Sequence, residues 1–392
     1  MSEATRVKNT GLRGVTVADS AISFIDGEKG VLIYRGYRIE DLADRSSFME
    51  TVYLLLFGVL PTVEHMEAFT RQVAGLRRVP GYVIDSMRHW PRNARPMDIL
   101  QACVPLLSMA EEHSDTMDRQ VCLNRSIALI AQMPTLVAAW HRVRNNQPVL
   151  DPDPDLDHAG NFLWMLQGKR PDPAMAKDLD VCLVLHADHT FNASTFAARE
   201  VVSTRASLYA GVSAGLGALS GSLHGGANAK VMEMLLKLEN EPDIEGWVSA
   251  QLARGERIMG MGHAIYKTGD PRAAYLKRMG QRLGAQTGGR WAEISRKIEE
   301  TALTIFAGQG KTTILPNVDF NSAPVYYLMG IPTDLMTPVF AISRVVGWCA
   351  HIIEEQFADV QGKPALYRPQ AQYVGEYCGL MGCEYSPMNT RK

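Results

Sequence analysis

The chain has 392 residues, of which 46% are hydrophobic and 21% charged, and its formal net charge is −2. This composition is typical of a globular protein with a sizeable core, and the length favours one large domain with a smaller one. Because 40 basic and 42 acidic residues are well mixed, no overall field favours nucleic acid or a membrane surface, so recognition of an anion must be local.

Residues 1–14 contain no apolar run of the kind that a secretory signal needs, and they include Glu3, so we expect a cytoplasmic protein. The most apolar stretch, residues 338–353, contains Arg344 and is shorter than the roughly 20 residues of a membrane span. We interpret it as a buried helix. The six cysteines form no CxxC pair, and we interpret them as reduced packing residues.

The chain changes from a β pattern to a helical one near residue 40. Residues 14–39 alternate apolar and polar positions around Asp26 and Gly27, which predicts a small β region with a turn. From about residue 40 onward, apolar residues recur at spacings of three and four, which predicts a mainly helical protein. Thr62 is a candidate helix N-cap, as is Asp172, which is followed by proline.

Residues 206–222, ASLYAGVSAGLGALSGS, are almost all small. A helix so poor in bulk lets a second helix approach closely, either within the subunit or across a dimer axis. We favour the dimer interpretation for this segment.

The first candidate chemical groups are His186 and His189, which share a helix face if the helix persists across both. A zinc site would need further ligands, and the sequence has no HExxH motif or cysteine cluster. We therefore expect no metal. Structural histidines bonded to backbone carbonyls and substrate-binding histidines both stay open as interpretations.

A third histidine, His224, lies in GSLHGGAN at residues 221–228. The two glycines after it would let a ligand approach the imidazole and the backbone amides together. The spacing differs from that of a GxxxxGK[ST] phosphate loop. In isolation the segment suits a functional histidine and a structural one equally.

The densest group of chemically active side chains lies in residues 258–272, IMGMGHAIYKTGDPR. Two glycines precede His263, and Lys267 and Arg272 follow it. The imidazole can donate or accept a proton near neutral pH, and the two cations can hold anions. The alternative is a glycine-rich turn with a solvated basic face.

Three further charged residues are candidates. Asp319 lies between valine and phenylalanine in PNVDF, and apolar surroundings raise the proton affinity of a carboxylate as a general base requires; a helix cap or turn aspartate is the alternative. Arg344 is a charge in an apolar segment and needs an anionic partner, either internal or a ligand. Arg368, in YRPQ, carries no signal by itself.

Together these segments resemble the active-site segments of citrate synthases. They occur in the same order and at similar separations: HADHTFNAST, SLHGGAN, MGHAIYKTGDPR, PNVDF, ISRVVGW and RPQ. The stretches GLRGV…YRGYRIEDLA and GVLPT also look like the N-terminal region of that family. The resemblance covers the chain from about residue 11 to about residue 375.

The resemblance implies a mainly α-helical, two-domain citrate synthase-like fold with a small N-terminal β region at 14–39. The large domain would comprise residues 1–225 and 332–392, and a small domain, residues 226–331, would close over the site. The chain is similar to the short, dimeric form of the family, which implies a homodimer.

The resemblance also implies a reaction: acetyl-CoA condenses with oxaloacetate, and citryl-CoA is hydrolysed to citrate and CoA, with no permanently bound cofactor. The implied catalytic residues are His224, His263 and Asp319. The implied oxaloacetate ligands are His189, Arg272, Arg344 and Arg368, the last donated by the other subunit of the homodimer. The implied contacts to CoA are Met261, Gly262, Ala264, Lys267 and Asn317.

Three positions depart from the family pattern. Residue 264 is alanine where many bacterial relatives have arginine, Ser222 replaces a proline, and NSAP at 321–324 replaces a YSG-type continuation. The alanine concerns CoA contacts, whereas the resemblance places the NSAP residues near the acyl group, so acyl selectivity stays open. The nearest alternative is 2-methylcitrate synthase, which uses propionyl-CoA. A citryl-CoA lyase and a non-catalytic relative are further alternatives, although the intact catalytic residues argue against the second of these.

Overall fold

A computed structural model of the chain describes residues 11–12, 14–111, 116–288, 290–376 and 379–391. Within these ranges, a short antiparallel sheet is followed by sixteen α-helices. The predicted mainly helical fold class is therefore confirmed. The prediction of a cytoplasmic protein rests mostly on residues 1–10, which lie outside the described ranges, and it stays a prediction.

The sheet lies where the sequence predicts β structure. Its three strands pair antiparallel in chain order: β1 (Ser23–Asp26), β2 (Val31–Tyr34) and β3 (Tyr37–Arg38). The Asp26 carboxylate stabilises the turn between β1 and β2, because it accepts the backbone N–H groups of Glu28 and Lys29 at 3.1 and 3.0 Å. This turn contacts a loop of the candidate site, as described below.

Helices form most of the remaining described chain. The first ten are α1 (Ile39–Arg45), α2 (Phe48–Phe57), α3 (Val63–Gly75), α4 (Gly81–Arg88), α5 (Pro96–Ser108), α6 (Arg119–Arg144), α7 (His158–Gln167), α8 (Pro173–His186), α9 (Ala193–Ser203) and α10 (Leu208–Leu219). The last six are α11 (Ala227–Lys237), α12 (Ile244–Ala253), α13 (Ala273–Thr287), α14 (Trp291–Gly308), α15 (Val318–Leu328) and α16 (Met336–Phe357).

Two helix starts follow the predicted caps. At α3, the Thr62 hydroxyl accepts the backbone N–H of His65 at 3.3 Å. At α8, the Asp172 carboxylate accepts the N–H groups of Ala174 and Met175 at 2.8 and 3.2 Å. These bonds satisfy donors that the first helical turn leaves without intrahelical partners, so both cap predictions are confirmed.

Helix α16 is the centre of the larger group of helices. Every residue from Met336 to Gln356 is buried, and the helix packs against α2, α6, α8, α9 and α10. By length and composition, α6 and the segment Thr333–Phe357 could each cross a membrane, but the apolar window of Thr333–Phe357 is entirely buried inside the protein. The prediction of a buried helix over residues 338–353 is confirmed.

The small residues of α10 allow close packing within the subunit. A Cβ added at Gly211 would lie 2.5 Å from Val202 Cγ1 of α9, and one at Gly215 would lie 3.0 Å from the Trp348 ring of α16. Larger residues at these positions would push α9 and α16 away. Packing inside the subunit therefore accounts for these two glycines, and a dimer contact on this segment stays a prediction.

Helices α11–α15 form the smaller group. In this group α12 packs on α14 and α13 packs on α15, while α11 contacts both α15 and α16. These helices span residues 227–328, close to the predicted small domain. The division of the chain into two domains at these boundaries stays a prediction.

Four cysteines behave as predicted. They are buried free thiols whose burial raises their pKa values: Cys103, Cys122, Cys182 and Cys349. Cys378 lies outside the described residues. The prediction is wrong for Cys383, which is disulfide-bonded. This residue lies on the exposed C-terminal tail, not inside a helix packed in the core.

Candidate active site

Five segments supply the candidate site: the residues after α8, the loop between α10 and α11, the loop between α12 and α13, the start of α15, and the middle of α16. Two buried arginines, Arg272 and Arg344, influence the pKa values of titratable groups on several of these segments. The charges of Arg272 and Arg344 act together on Asp319. One or both charges also act on the three predicted histidines: His189, His224 and His263.

His186 and His189 have different surroundings. His186 Nδ1 lies 2.7 Å from the Cys182 carbonyl oxygen one turn earlier in α8, so it is a structural histidine. The ring of His189 instead faces the loop that carries His263: its Nε2 lies 3.2 Å from the Tyr266 hydroxyl, and the two imidazole centroids are 5.5 Å apart. Within the described ranges, no three His, Cys, Asp or Glu side chains form a group that could hold a metal ion.

The loop between α12 and α13 is held against the start of α15 by backbone contacts. Gly262 N–H donates to the Leu315 carbonyl at 2.8 Å, and Asn317 N–H donates to the Gly260 carbonyl at 2.9 Å. Gly260 has a φ of +80°, and a Cβ there would lie 2.7 Å from Phe320 Cβ. Only glycine satisfies both conditions, so these contacts hold the loop that carries His263 against the start of α15, the helix of Asp319.

His263 is a neutral imidazole with a defined tautomer. Its Nδ1 accepts the backbone N–H groups of Ile265 and Tyr266 at 3.0 and 3.1 Å. Burial, and then the charge of Arg272, lower its pKa to about 4. The proton must therefore lie on Nε2, which makes this nitrogen a hydrogen-bond donor at neutral pH.

His224 is oriented by the first turn of α9. Its Nε2 lies 2.8 Å from the Ser194 hydroxyl, which also bonds to the Asn192 carboxamide at 2.7 Å and accepts the Trp348 indole N–H at 3.2 Å. Burial, and then Arg344, lower the His224 pKa to about 4. Ser194 was not predicted from the sequence, although its place behind the N-cap Asn192 is a recognisable signal.

Asp319 lies in the first turn of α15, but it is not the cap. The cap is Asn317, whose side-chain oxygen accepts the N–H groups of Asp319 and Phe320 at 3.0 and 3.3 Å. The Asn317 amide also donates to the Gly262 carbonyl at 2.9 Å. Burial raises the pKa of Asp319 to about 6, because an apolar environment disfavours the carboxylate.

Arg272 forms a buried ion pair that was not predicted. Its Nε and Nη2 donate to the two carboxylate oxygens of Asp270 at 2.9 and 2.7 Å. Burial opposes the charge of Arg272, but Asp270 more than offsets this effect and raises the arginine pKa. The GDPR sequence, with the aspartate two residues before the arginine, was the available signal.

Arg344 lies in the middle of α16 and is only 2% exposed. Its Nε donates to the His186 carbonyl at 2.8 Å, and its guanidinium lies 4.6 Å from the centroid of the Phe340 ring. Among the described residues, no carboxylate forms an ion pair with it, and burial lowers its pKa to about 10. Arg344 is thus a buried cation available to an anionic ligand.

Three predicted ligands lie outside this cluster of contacts. Arg368 is exposed, although the neighbouring Tyr367 hydroxyl donates to Glu355 at 2.8 Å. Ala264 is also exposed. Lys267 Nζ lies 2.7 Å from a carboxylate oxygen of Glu28 in the β1–β2 turn, so in this structure its charge is paired within the chain.

A cavity of about 320 Å³ adjoins Met261 and Gly262. It lies between the loop after α12 and the end of α14, and we refer to it as the loop cavity. Its walls include apolar Ile258 and two cations, Arg257 and Lys311, neither of which was predicted. Glu256 also lines the loop cavity, so its walls carry two cations and one anion. The two cations could bind a phosphorylated ligand.

A sequence profile described as "Citrate synthase, C-terminal domain" matches residues 11–370. The chain belongs to the citrate synthase family. The citrate synthase of Haloferax volcanii is 44% identical over 387 residues, which cover 97% of this chain and 98% of the relative. The 2-methylcitrate synthase of Shewanella oneidensis is 37% identical over 378 residues, which cover 96% and 97%.

A solved citrate synthase structure from Thermoplasma acidophilum, in ternary complex with carboxymethyl coenzyme A and oxaloacetate, matches with a TM-score of 0.88. The two chains are 31% identical, and the match covers 96% of this chain and 98% of that one. The family and the fold inferred from the six segments are therefore confirmed. Citrate synthase family members are condensing acyltransferases, and this chain is an enzyme of that class.

Proposed function

We propose that this citrate synthase family enzyme condenses acetyl-CoA with oxaloacetate and hydrolyses citryl-CoA to citrate and CoA. The observation that carries the proposal is the environment of Asp319. Its carboxylate has a pKa raised by burial to about 6, and the field of two buried arginines acts on it. That combination suits a base that removes a weakly acidic proton next to an anionic substrate.

In the first step, Asp319 takes a proton from the methyl carbon of acetyl-CoA. The C–H bond breaks, an O–H bond forms on the carboxylate, and the electron pair moves onto the thioester oxygen. A carboxylate with an ordinary pKa of about 3.9 is a weak base for this proton, so the developing oxyanion must be stabilised. The neutral imidazole of His224 supplies the hydrogen bond from Nδ1, because its Nε2 accepts the Ser194 backbone N–H at 3.3 Å.

In the second step, the methylene carbon attacks the ketone carbon of oxaloacetate and a carbon–carbon bond forms. His263 donates its Nε2 proton to the ketone oxygen as that oxygen gains negative charge and the electron pair on the thioester oxygen returns to re-form the carbonyl. The tautomer supports this role, because Nδ1 is occupied by two backbone N–H groups. Water then cleaves the thioester of citryl-CoA, and the CoA thiol leaves with a proton. Before the next turnover Asp319 releases the proton that it took from the methyl carbon, and His263 regains one.

Oxaloacetate carries two carboxylates, and Arg344 is the strongest candidate for binding one of them. Its burial without an ion-pair partner in the described chain supports this role. Arg272 and His189 would complete the pocket from the loop and from the residues after α8. We also propose a homodimer in which the exposed Arg368 reaches the site of the partner subunit.

We propose that CoA binds along the loop at Met261, Gly262 and Ala264, with Asn317 behind it. Arg257 and Lys311 of the loop cavity would then meet its phosphates. Lys267 could contribute only after leaving Glu28, from which it is 2.7 Å distant. Excluding water from this region until both substrates are bound would protect the thioester.

The acyl group is the least specified part of the proposal, because 2-methylcitrate synthases are also among the relatives. One methylene contributes only about 1–3 kcal/mol to discrimination between acyl groups. The test is the release of CoA thiol in the presence of oxaloacetate, measured in parallel with acetyl-CoA and propionyl-CoA. We expect acetyl-CoA to have the higher kcat/KM. A preference for propionyl-CoA would move the enzyme to 2-methylcitrate synthesis, and no release from either would overturn the proposal.

A further inference from the structure

Asn228, near the start of α11, is a buried amide with unusual hydrogen bonding. It is 1% exposed. Its Nδ2 donates to the Ser322 hydroxyl, whereas its Oδ1 has no hydrogen-bond partner. Leaving a buried acceptor without a hydrogen bond is energetically unfavourable, which suggests that the Asn228 oxygen has a role in binding or catalysis.

The explanation lies on α15, which packs against α11. Asp319 and Ser322 are three residues apart on α15 and therefore lie on the same face of that helix. The Asn228 amide also acts on the Asp319 carboxylate and favours its ionised form, which lowers the pKa of Asp319. Asn228 thus bonds to one member of this face and acts on the other, and its amide oxygen is left without a partner.

We propose that Asn228 is a positioning residue that serves Asp319 in both of its protonation states. While Asp319 is ionised, an N–H of the Asn228 amide donates to the carboxylate. After Asp319 has taken the acyl proton, its new O–H donates to Asn228 Oδ1. This inference rests on the proposed function, because it assigns Asn228 to the same proton transfer.

Ser322 has a supporting part in this arrangement. The hydroxyl accepts one N–H of the amide, which fixes the orientation of the amide relative to Asp319. Ser322 is itself fully buried, and it belongs to the NSAP segment that departs from the family pattern. The preceding residue, Asn321, instead lines a cleft with Leu276 and Gln281 on the α13 side of the helix.

The test compares Asn228→Asp with the wild-type enzyme, because aspartate keeps the shape of asparagine but removes the N–H donors. We expect kcat to fall about tenfold to a hundredfold, part of the roughly 10²–10⁴-fold that a positioned base contributes. The acid limb of kcat/KM for acetyl-CoA should move up by about one pH unit or more, because the donor is lost and a like charge is added. The KM for oxaloacetate should stay within about twofold.

Ser322→Ala should also lower kcat and move the acid limb of kcat/KM to higher pH, but by less than Asn228→Asp. If Asn228→Asp does not fold, Ser322→Ala is the variant that tests the inference. Asn321→Ala is the matched control on the same helix and should retain the wild-type pH profile. A wild-type pH profile in Asn228→Asp, or in Ser322→Ala where that variant decides, would overturn the inference. If Asp319→Asn were fully active, the proposed function itself would fail, so the two failures are distinguishable.

Discussion

Asp270 holds Arg272 through two parallel hydrogen bonds, Nε to Oδ1 at 2.9 Å and Nη2 to Oδ2 at 2.7 Å. Arg344 is equally buried, yet within the described chain its Nε donates to a backbone carbonyl, that of His186. The charge of Arg272 is therefore largely compensated before substrate binds, and the charge of Arg344 is not. This asymmetry supports the proposal that Arg344 is the main cation that binds a carboxylate of oxaloacetate.

Arg344→Met should weaken oxaloacetate binding and stabilise the free protein. Losing a charge-assisted contact of about 3 kcal/mol would raise the KM for oxaloacetate about 100-fold, and removing an unpaired buried charge should raise the Tm. Arg199→Met is the control, since buried Arg199 is paired with Glu354 and Glu355 at 2.6 Å each, and its loss should lower the Tm. An unchanged KM in Arg344→Met would contradict the role of Arg344.

The pH dependence of activity should report one ionisation near pH 6. Asp319 must be ionised to act, and burial raises its pKa to about 6, so kcat/KM for acetyl-CoA should fall as the pH drops below that value. His224 and His263 have pKa values lowered to about 4 by burial and stay neutral throughout. A rate profile between pH 5 and pH 8 checks this. A two-proton dependence in that range would show that a histidine also titrates.

Asp319→Asn should stabilise the protein at pH 7. The folded-state pKa of about 6 exceeds the unfolded value of about 3.9, so keeping the group ionised costs the folded state up to about 3 kcal/mol above pH 6. The cost shrinks as the pH falls from 6 to 4 and vanishes below that, where both states are protonated. Thermal unfolding at pH 7 and at pH 4 measures the difference. A lower Tm for the variant at pH 7 would mean that the carboxylate is structurally favourable.

The β1–β2 turn should matter for catalysis although it lies outside the reacting groups. Gly27 accepts the Lys267 N–H at 3.0 Å, and a Cβ at Gly27 would overlap the Ile265 carbonyl. Gly27→Ala should therefore displace the loop that carries His263 and lower kcat about tenfold, as small misplacements of catalytic groups do. The control is Gly75→Ala, at an open position in α3. Equal kcat values in the two variants would show that the β1–β2 turn does not affect catalysis.

Local pattern was sufficient to predict the main elements and the principal candidate residues. The apolar neighbours of Asp319, the continuous apolar run around Arg344 and the glycines before His263 are all visible within a few residues of the chain. These features determine the burial of a group and the backbone conformation near it. They also determine where helices begin, as at Asp172.

Partners distant along the chain could not be predicted in this way. Ser194 lies 30 residues from His224 and Asn228 lies 94 from Ser322, and no local pattern connects either pair. The partner of Lys267 is an acidic residue of the hairpin turn, which only the folded packing reveals. That Arg344 lacks a carboxylate partner depends on every element around α16, so it too is a property of the fold.

The most direct test of the central role of Asp319 is CoA thiol release from acetyl-CoA and oxaloacetate by wild-type enzyme and by Asp319→Asn, with oxaloacetate binding measured calorimetrically on both. We expect the wild-type enzyme to release thiol, and the variant to lose at least about 10²-fold in kcat while binding oxaloacetate with similar affinity. Turnover by the variant at the wild-type rate would contradict the assignment of Asp319 as the base.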